Sequence, residues 1–235
     1  MSLRNRHVVV RTIDRVDGAT IDALAPVGTA TVHEAIGRRG YLGPEIRAIQ
    51  QGTKIAGSAV TVSCHPGDNL MIHAAVEVCQ PGDVLVVTTT APSTHGMFGD
   101  LLASSLMARG VRGLVIDAGV RDSYDLRDIG FPVWSRWISC EGTVKASPGS
   151  VNVPVVVNGQ LVEPGDVICA DDDGVVAVPR VEAAWGLAQS EARLAKEEGT
   201  RAKLQAGELG LDMYGLRNTL NALGVIYVDR LSDLG

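Results

Sequence analysis

The chain is poor in the residues that announce the most easily recognised functions. Aromatic side chains make up only 4% of it, and no aromatic motif offers a platform on which RNA bases could stack. Cations are also short: 21 Lys and Arg stand against 27 Asp and Glu, for a net charge of -6, and they form no basic stripe. The electrostatic footprint that a phosphate backbone demands is therefore missing, and nucleic acid is not expected as a direct partner. Cysteine is sparse and scattered. Cys64, Cys79, Cys140 and Cys169 have neither the paired spacing of a zinc site nor the density of a secreted disulfide scaffold, so they read as small buried thiols. No apolar run approaches the roughly 20 residues that cross a bilayer, and the start, Met1 to Arg6, lacks the apolar core of a signal peptide. A cytoplasmic protein without membrane contact is expected. No serine or cysteine sits on a nucleophile elbow, and His65, His73 and His95 lack partners at ligand or nucleophile spacing, so each reads as structural.

What is present is a strong pattern of apolar runs and turns. With 235 residues, 46% of them apolar, the chain can bury a full core, and one α/β domain with a helical tail is expected. The middle reads as strand Val84 to Thr90, helix Asp100 to Arg109, strand Gly113 to Ala118, short helix Ser123 to Ile129 and strand Pro132 to Ile138. Alternation of this kind implies parallel strands joined by right-handed crossovers. Valine-rich stretches at Ile55 to Ser63, Val151 to Val157, Val167 to Ala170 and Val175 to Pro179 read as strands of a barrel or second sheet. Pro-Gly-Asp recurs at Pro66, Pro81 and Pro164 and marks tight turns. From Val181 to about Gly207 the pattern is helical and charged. A further helix follows Leu209 to Arg217, and this tail is expected to pack on another subunit.

Two loops could carry chemistry. Each follows a strand-like run, contains glycine, and ends in a carboxylate where a helix should begin: Gly99-Asp100-Leu101-Leu102 and Gly119-Val120-Arg121-Asp122. Ligands of parallel sheets collect at the carboxyl ends of the strands, where both loops fall, so Asp100, Arg121 and Asp122 should share a crevice. The first amides of the helix opened by Asp100 have no partner within it and suit a small anion such as a carboxylate. Carboxylate ligands without histidine or thiolate favour a hard cation, Mg²⁺ or Mn²⁺. Arg121 beside that cation suits an oxygen that gains negative charge. The bland alternative stands beside this one: Asp100 only caps its helix, and Arg121 with Asp122 is a surface ion pair. Elsewhere, Asp171-Asp172-Asp173-Gly174 looks like the start of a calcium loop but lacks the closing glutamate, so a polar hairpin turn is expected. His33 and Glu34 either cap a helix or line a pocket, with the cap favoured by sequence logic. Glu197 and Glu198 lie where Arg193, Lys196 and Arg201 offer ordinary intrahelical pairs.

Across most of its length the chain resembles the class II pyruvate aldolases that cleave 4-carboxy-4-hydroxy-2-oxoadipate and 4-hydroxy-4-methyl-2-oxoglutarate. The matching segments are Ala30 to Ala35 with Gly37, Arg38 and Gly40, then Pro66 to Asn69, Gly99 to Ala103, Gly119 to Asp122, and Gly207 to Tyr214. The resemblance implies an RraA-like α/β/β/α swivelling-domain fold. Residues 1–180 would form the catalytic core, and 181–235 a helical tail packing on a neighbouring subunit of a homotrimer or homohexamer. It also implies Mg²⁺ or Mn²⁺ as cofactor, with Asp122 as direct metal ligand and Asp100 acting through water. Arg121 would contact a small 2-oxo acid substrate whose carboxylate is held by Gly99, Leu101 and Leu102. Glu197 would be sent into the site by a neighbouring subunit, with Glu198 as the alternative by counting, and Glu34 would stand nearby without a firm role. The implied reaction is retro-aldol cleavage through a metal-bound pyruvate enolate, with oxaloacetate decarboxylation at the same site, in the breakdown of aromatic compounds. The central segments are shared with the ribonuclease activity regulator A proteins, which act by binding ribonuclease E, and that is the competing reading. The tail ending in Leu-Gly-Leu-Asp-Met-Tyr is similar to the aldolases. A phosphohistidine carrier of related topology fails because no histidine lies in the helix from Asp100 to Arg109.

Overall fold

The structure is a computed structural model that describes residues 7–234, so the reading of Met1 to Arg6 lies outside the described residues. Two short helices, α1 (Gly18–Leu24) and α2 (Thr29–Ala35), precede strands β1 (Arg47–Ala48) and β2 (Ile55–Cys64). Helix and strand then alternate through α3 (Leu70–Val78), β3 (Asp83–Thr89), β4 (Gly96–Phe98), α4 (Asp100–Met107), β5 (Gly113–Val120), α5 (Ser123–Asp128) and β6 (Val133–Ile138). Four short strands follow at β7 (Ser150–Val151), β8 (Val155–Val157), β9 (Gln160–Val162) and β10 (Val167–Asp171). The hairpin closes with β11 (Gly174–Val178), and the chain ends in α6 (Ala183–Gln205), α7 (Gly210–Met213) and α8 (Leu216–Ala222).

One sheet organises the first compact unit, Met1–Glu191, in the order β1-β6-β5-β3-β2-β10-β11, with β4 beside β5 and β7 beside β2. Strands β2, β3, β5 and β6 pair in parallel, and the outer pairings of β1, β10 and β11 are antiparallel. Both faces of the central strands are buried, which is why they read as unbroken apolar runs and not as alternating ones. On β3, Leu85 and Val87 face a core under α3, α4 and α5, while Val84 and Val86 face a second core closed by the β8–β9 hairpin and by Leu42 and Ile46. A third cluster, with Leu24, Val32, Ile36 and Val178, packs α1 and α2 against β10 and β11. Trp134, fully buried, donates from Nε1 to the Asp171 carbonyl at 2.7 Å and so satisfies its one polar atom inside the second core.

Of the stretches expected as strands of a barrel or second sheet, most extend the main sheet, and only Val155–Val157 enters a separate two-stranded one. Ile55–Cys64 lies in the centre of the main sheet, parallel to β3, and β10 and β11 add to its edge. Val151 to Val157 is not one strand. Asn152 takes a left-handed backbone (φ 56°), Pro154 offers no N–H, and the chain leaves β2 to form the separate β8–β9 ribbon. Asp171 to Gly174 is a hairpin turn, as expected, with Asp171 tied to the start of α2 through Thr29 N at 2.8 Å. His33 and Glu34 do not cap α2 at its start. They occupy its last turn, where Glu34 pairs with Arg38 at 3.0 Å.

The second unit, Ala192–Gly235, holds the remainder of α6 with α7 and α8. Arg193 pairs with Glu197 at 2.8 Å and Arg201 with Glu198 at 3.7 Å, the intrahelical pairs that the spacing suggested. No described residue of this unit is buried, and Leu223, Ile226, Tyr227 and Leu231 are all more than 65% exposed. No helix among the described residues is long and apolar enough to cross a membrane.

Three of the four cysteines are the buried thiols expected, but Cys140 is exposed on the loop after β6. Burial pushes the thiols of Cys64, Cys79 and Cys169 up to about 12, so none supplies thiolate near neutral pH. Brief iodoacetamide treatment of the folded protein at pH 8 should therefore label Cys140 alone; peptide mass spectrometry showing comparable labelling of Cys64 or Cys169 would contradict this burial.

Candidate functional site

The loops after β4 and β5 meet because both strands end at the same edge of the sheet: β4 pairs with β5 through Gly96 to Gly119 and Phe98 to Val120. Arg121 N donates to Phe98 O at 2.8 Å, which fixes one loop on the other. Asp122 then adopts a left-handed backbone (φ 53°, ψ 38°) and caps α5, its carbonyl accepting from Leu126 N at 2.9 Å. A side chain so placed costs about 1–3 kcal/mol, and such strain collects at sites where geometry is over-determined. Its effect is visible: Oδ2 of Asp122 reaches the Asp100 amide at 3.4 Å and Arg121 Nε at 3.3 Å. It lies 2.2 Å from where a Cβ on Gly99 would stand, so any side chain there would displace the Asp122 carboxylate.

The result is a cavity of about 210 Å³ lined in part by Gly99, Asp100, Leu101, Leu102, Arg121 and Asp122. No side chain caps α4, so the amides of Leu101 and Leu102 in its first turn remain available as donors. Arg121 is exposed, while Asp100 and Asp122 are half-buried. The Asp100 carboxylate carries no hydrogen bond or ion pair among the described residues, and Asp122 keeps Oδ1 unused. No group of three or more His, Cys, Asp or Glu side chains converges among the described residues. The carboxylate oxygens of Asp100 and Asp122 are of the kind that suits Mg²⁺ or Mn²⁺, commonly held by one or two carboxylates with water and substrate oxygens completing the shell. Two hard oxygen donors at one cavity fit such a cation.

The remainder of the lining was not legible as a site. It includes Asn69, His73, Thr143 and Lys145. Asn69 donates from Nδ2 to Met97 O at 3.0 Å and ties the start of α3 to β4. Burial, and then the Lys145 ammonium, hold the His73 imidazole below its ordinary value, so it is neutral at pH 7. Asn69 and His73 are four residues apart on one helical face, and that spacing was the available signal. The loop bearing Thr143 and Lys145 has no periodicity to read. His95, read from the sequence as structural for want of a partner, faces Glu141 at 3.2 Å and Ser93 at 3.4 Å, close to Gly67. The His65 ring bonds the adjacent Pro66 carbonyl at 3.0 Å. Of the other expected site residues, Glu34 does not line this cavity, and Glu197 belongs to the second unit, where it borders a separate hollow with Arg193 and Tyr214.

This architecture and these segments recur in known proteins. A Halalkalibacterium halodurans protein, provisionally named a 4-hydroxy-4-methyl-2-oxoglutarate aldolase, is 26% identical over 188 residues, spanning 80% of this chain and 90% of that one. The crystal structure of Streptomyces coelicolor RraAS2, described as an unusual member of the RNase ES inhibitor RraA family, matches with a TM-score of 0.72. Its identity is 32%, and the match covers 80% of this chain and all of that one. The RNA-processing inhibitor RraA from Thermus thermophilis matches at 0.60 and 25% identity, over 65% of this chain and 93% of its own. The fold is thus the RraA-like mixed α/β fold, and the family pattern itself covers residues 29–177: the chain belongs to the RraA-like family, Aldolase/RraA.

Proposed function

We propose that the protein is a class II aldolase, a carbon-carbon lyase. It cleaves 4-carboxy-4-hydroxy-2-oxoadipate to pyruvate and oxaloacetate, and 4-hydroxy-4-methyl-2-oxoglutarate to two pyruvates, and it decarboxylates oxaloacetate as a side activity. The observation that carries this reading is the convergence, in one cavity, of two unpaired helix amides, one guanidinium and two carboxylates with free oxygens. A site that only positions a surface loop needs none of these.

The roles follow from the chemistry of each group. The amides of Leu101 and Leu102 hold the substrate carboxylate at the positive end of α4. Asp122 and Asp100 would hold Mg²⁺ or Mn²⁺, which would supply Lewis-acid polarisation of the 2-oxo group. Arg121, fixed by its ion pair with Asp122, donates to the 2-oxo oxygen as charge accumulates there and stabilises the enolate of pyruvate. Asp100 orders the water that receives the hydroxyl proton of the cleaved bond. Residues 181–235 form the tail that packs on a neighbouring subunit of a trimer or hexamer and delivers Glu197 to that water, with Glu34 near the same junction. The complete lack of buried residues across 192–234 supports this, since helices without a packed face are marginal alone. A cytoplasmic location belongs to the same proposal, as does a role in aromatic breakdown.

The second reading, a regulator that binds ribonuclease E, rests on the descriptions of the solved relatives as ribonuclease or RNA-processing inhibitors. Pull-down with ribonuclease E tests it.

Arg121→Ala should lower turnover on the order of a hundredfold or more, as when a preorganised oxyanion donor is removed. Pyruvate release coupled to lactate dehydrogenase reads this, and near-normal turnover would remove Arg121 from the reaction. Asp122→Ala should abolish both activity and the Mg²⁺ or Mn²⁺ titration seen by calorimetry; an unchanged isotherm would place the cation elsewhere. Gly99→Ala should leave the fold intact, because the extended backbone there (φ -156°) accepts any residue, yet cut turnover on the order of a hundredfold by displacing the Asp122 carboxylate. Full activity in that variant would show that the contact between the loops is dispensable.

A further inference from the structure

A second part of the cavity lining is built with as much care as the proposed catalytic part, and the aldolase reading gives it no task. Lys145 belongs to it, is exposed, and has no ion-pair partner among the described residues. A lysine on an irregular loop is ordinarily a mobile charge, but this loop is clamped. The Asp68 carboxylate, 1% exposed, accepts from Ala146 N at 2.7 Å and Ser147 N at 2.6 Å through Oδ2, and from Leu70 N at 2.9 Å through Oδ1. Backbone bonds between Gly67 and Val144 and between Val144 and Asn69 continue the seam on the other side of Lys145. The Pro66-Gly67-Asp68-Asn69 turn therefore does more than feed a helix. It buries a charge to hold the residues on either side of one lysine, next to His73, a neutral ring that can donate from one nitrogen.

We infer that Lys145, with His73, forms the subsite for the outer carboxylate of a 2-oxo dicarboxylate, and that Asp68 is the residue that positions it. The inference rests on the proposed aldolase site for the inner end of the same ligand. A carboxylate bound by the Leu101 and Leu102 amides leaves the rest of a short chain inside the same cavity of about 210 Å³, whose lining also holds the uncompensated cation Lys145. The subsite selects substrates that bear a carboxylate on the carbon released as the new carbonyl compound. It rejects monocarboxylates by leaving Lys145 unpaired against the ligand's apolar end.

The test uses two probes that cannot undergo retro-aldol cleavage, titrated calorimetrically into the full chain with Mg²⁺: 2-oxoglutarate, and 2-oxopentanoate, which lacks only the outer carboxylate. Wild type should bind 2-oxoglutarate on the order of tenfold or more tighter. Lys145→Met should erase that preference while leaving 2-oxopentanoate unchanged. Asp68→Asn should weaken 2-oxoglutarate selectively. The double variant should be no worse for it than Lys145→Met alone, which a merely structural role for Asp68 would not produce. Equal binding of both probes by wild type, or an equal loss of both in Lys145→Met, would overturn the subsite. Turnover of 4-hydroxy-4-methyl-2-oxoglutarate is measured in parallel: its absence in wild type sinks the aldolase reading, while the ratio between the two probes judges the subsite separately.

Discussion

The contact between the Asp122 carboxylate and the backbone of Gly99 is the constraint on which the site depends. It joins the loops of two successive strand-helix units, and it exists because Asp122 accepts a left-handed backbone and residue 99 has no side chain. Moving either would take the Asp122 carboxylate off the Asp100 amide and off Arg121, although β4, β5 and the helices would still pack. The sheet supplies only the common edge, with Gly96 set against Gly119 and Phe98 against Val120. Gly96 and Gly119 are themselves pressed against backbone, with atoms at 2.4 Å and 2.6 Å from where their Cβ atoms would be, so the approach of the two loops depends on three glycines. The strain of one residue and the entropy of these three are offset by the two cores on either side of the sheet.

The central elements were legible because burial on both faces leaves an unambiguous signature. Runs such as Val84 to Val87 and Gly113 to Val120 cannot be half-exposed strands, and each is followed by a turn and a helix start. Asp100, Arg121 and Asp122 were legible for the same reason, since a carboxylate placed at the end of such a run falls at the carboxyl edge of a parallel sheet. Where the structure departs from the sequence reading, local rules compete. Ile55–Cys64 is as valine-rich as an antiparallel strand would be, and only the pairing with β3 shows it to be central. Val151 to Val157 looked continuous because Pro154 and the left-handed Asn152 interrupt pairing without interrupting hydrophobicity.

The remainder of the lining was illegible for a different reason. Lys145 owes its position to bonds formed 78 and 79 residues away in sequence, from Asp68 to the amides of Ala146 and Ser147, and no local pattern encodes a carboxylate that serves backbone groups. The same holds for His73, which sits beside the site only because Asn69 ties α3 to β4. Glu34 and Glu197 show the complementary limit. Each has an ordinary helical partner four residues away, Arg38 and Arg193, so neither spacing nor the geometry of one chain distinguishes a functional carboxylate from a solvated one.

The charges around the cavity bear on substrate choice. Arg121 and Lys145 contribute two positive charges, Asp100 and Asp122 two negative ones, and His73 is neutral, so the lining is electrically even. A dicarboxylate brings a second negative charge to Lys145, whereas a monocarboxylate held by the same inner carboxylate leaves that ammonium unpaired. Burying an uncompensated charge costs several kcal/mol in a low-dielectric environment, less in a site as open as this one, and the penalty falls on the monocarboxylate. Selection for the outer carboxylate thus rests on the direct ion pair with Lys145. Lys145 and the unpaired amides of α4 place cationic and donor groups in one hollow of about 210 Å³, and together they weigh on the side of a small substrate with more than one carboxylate.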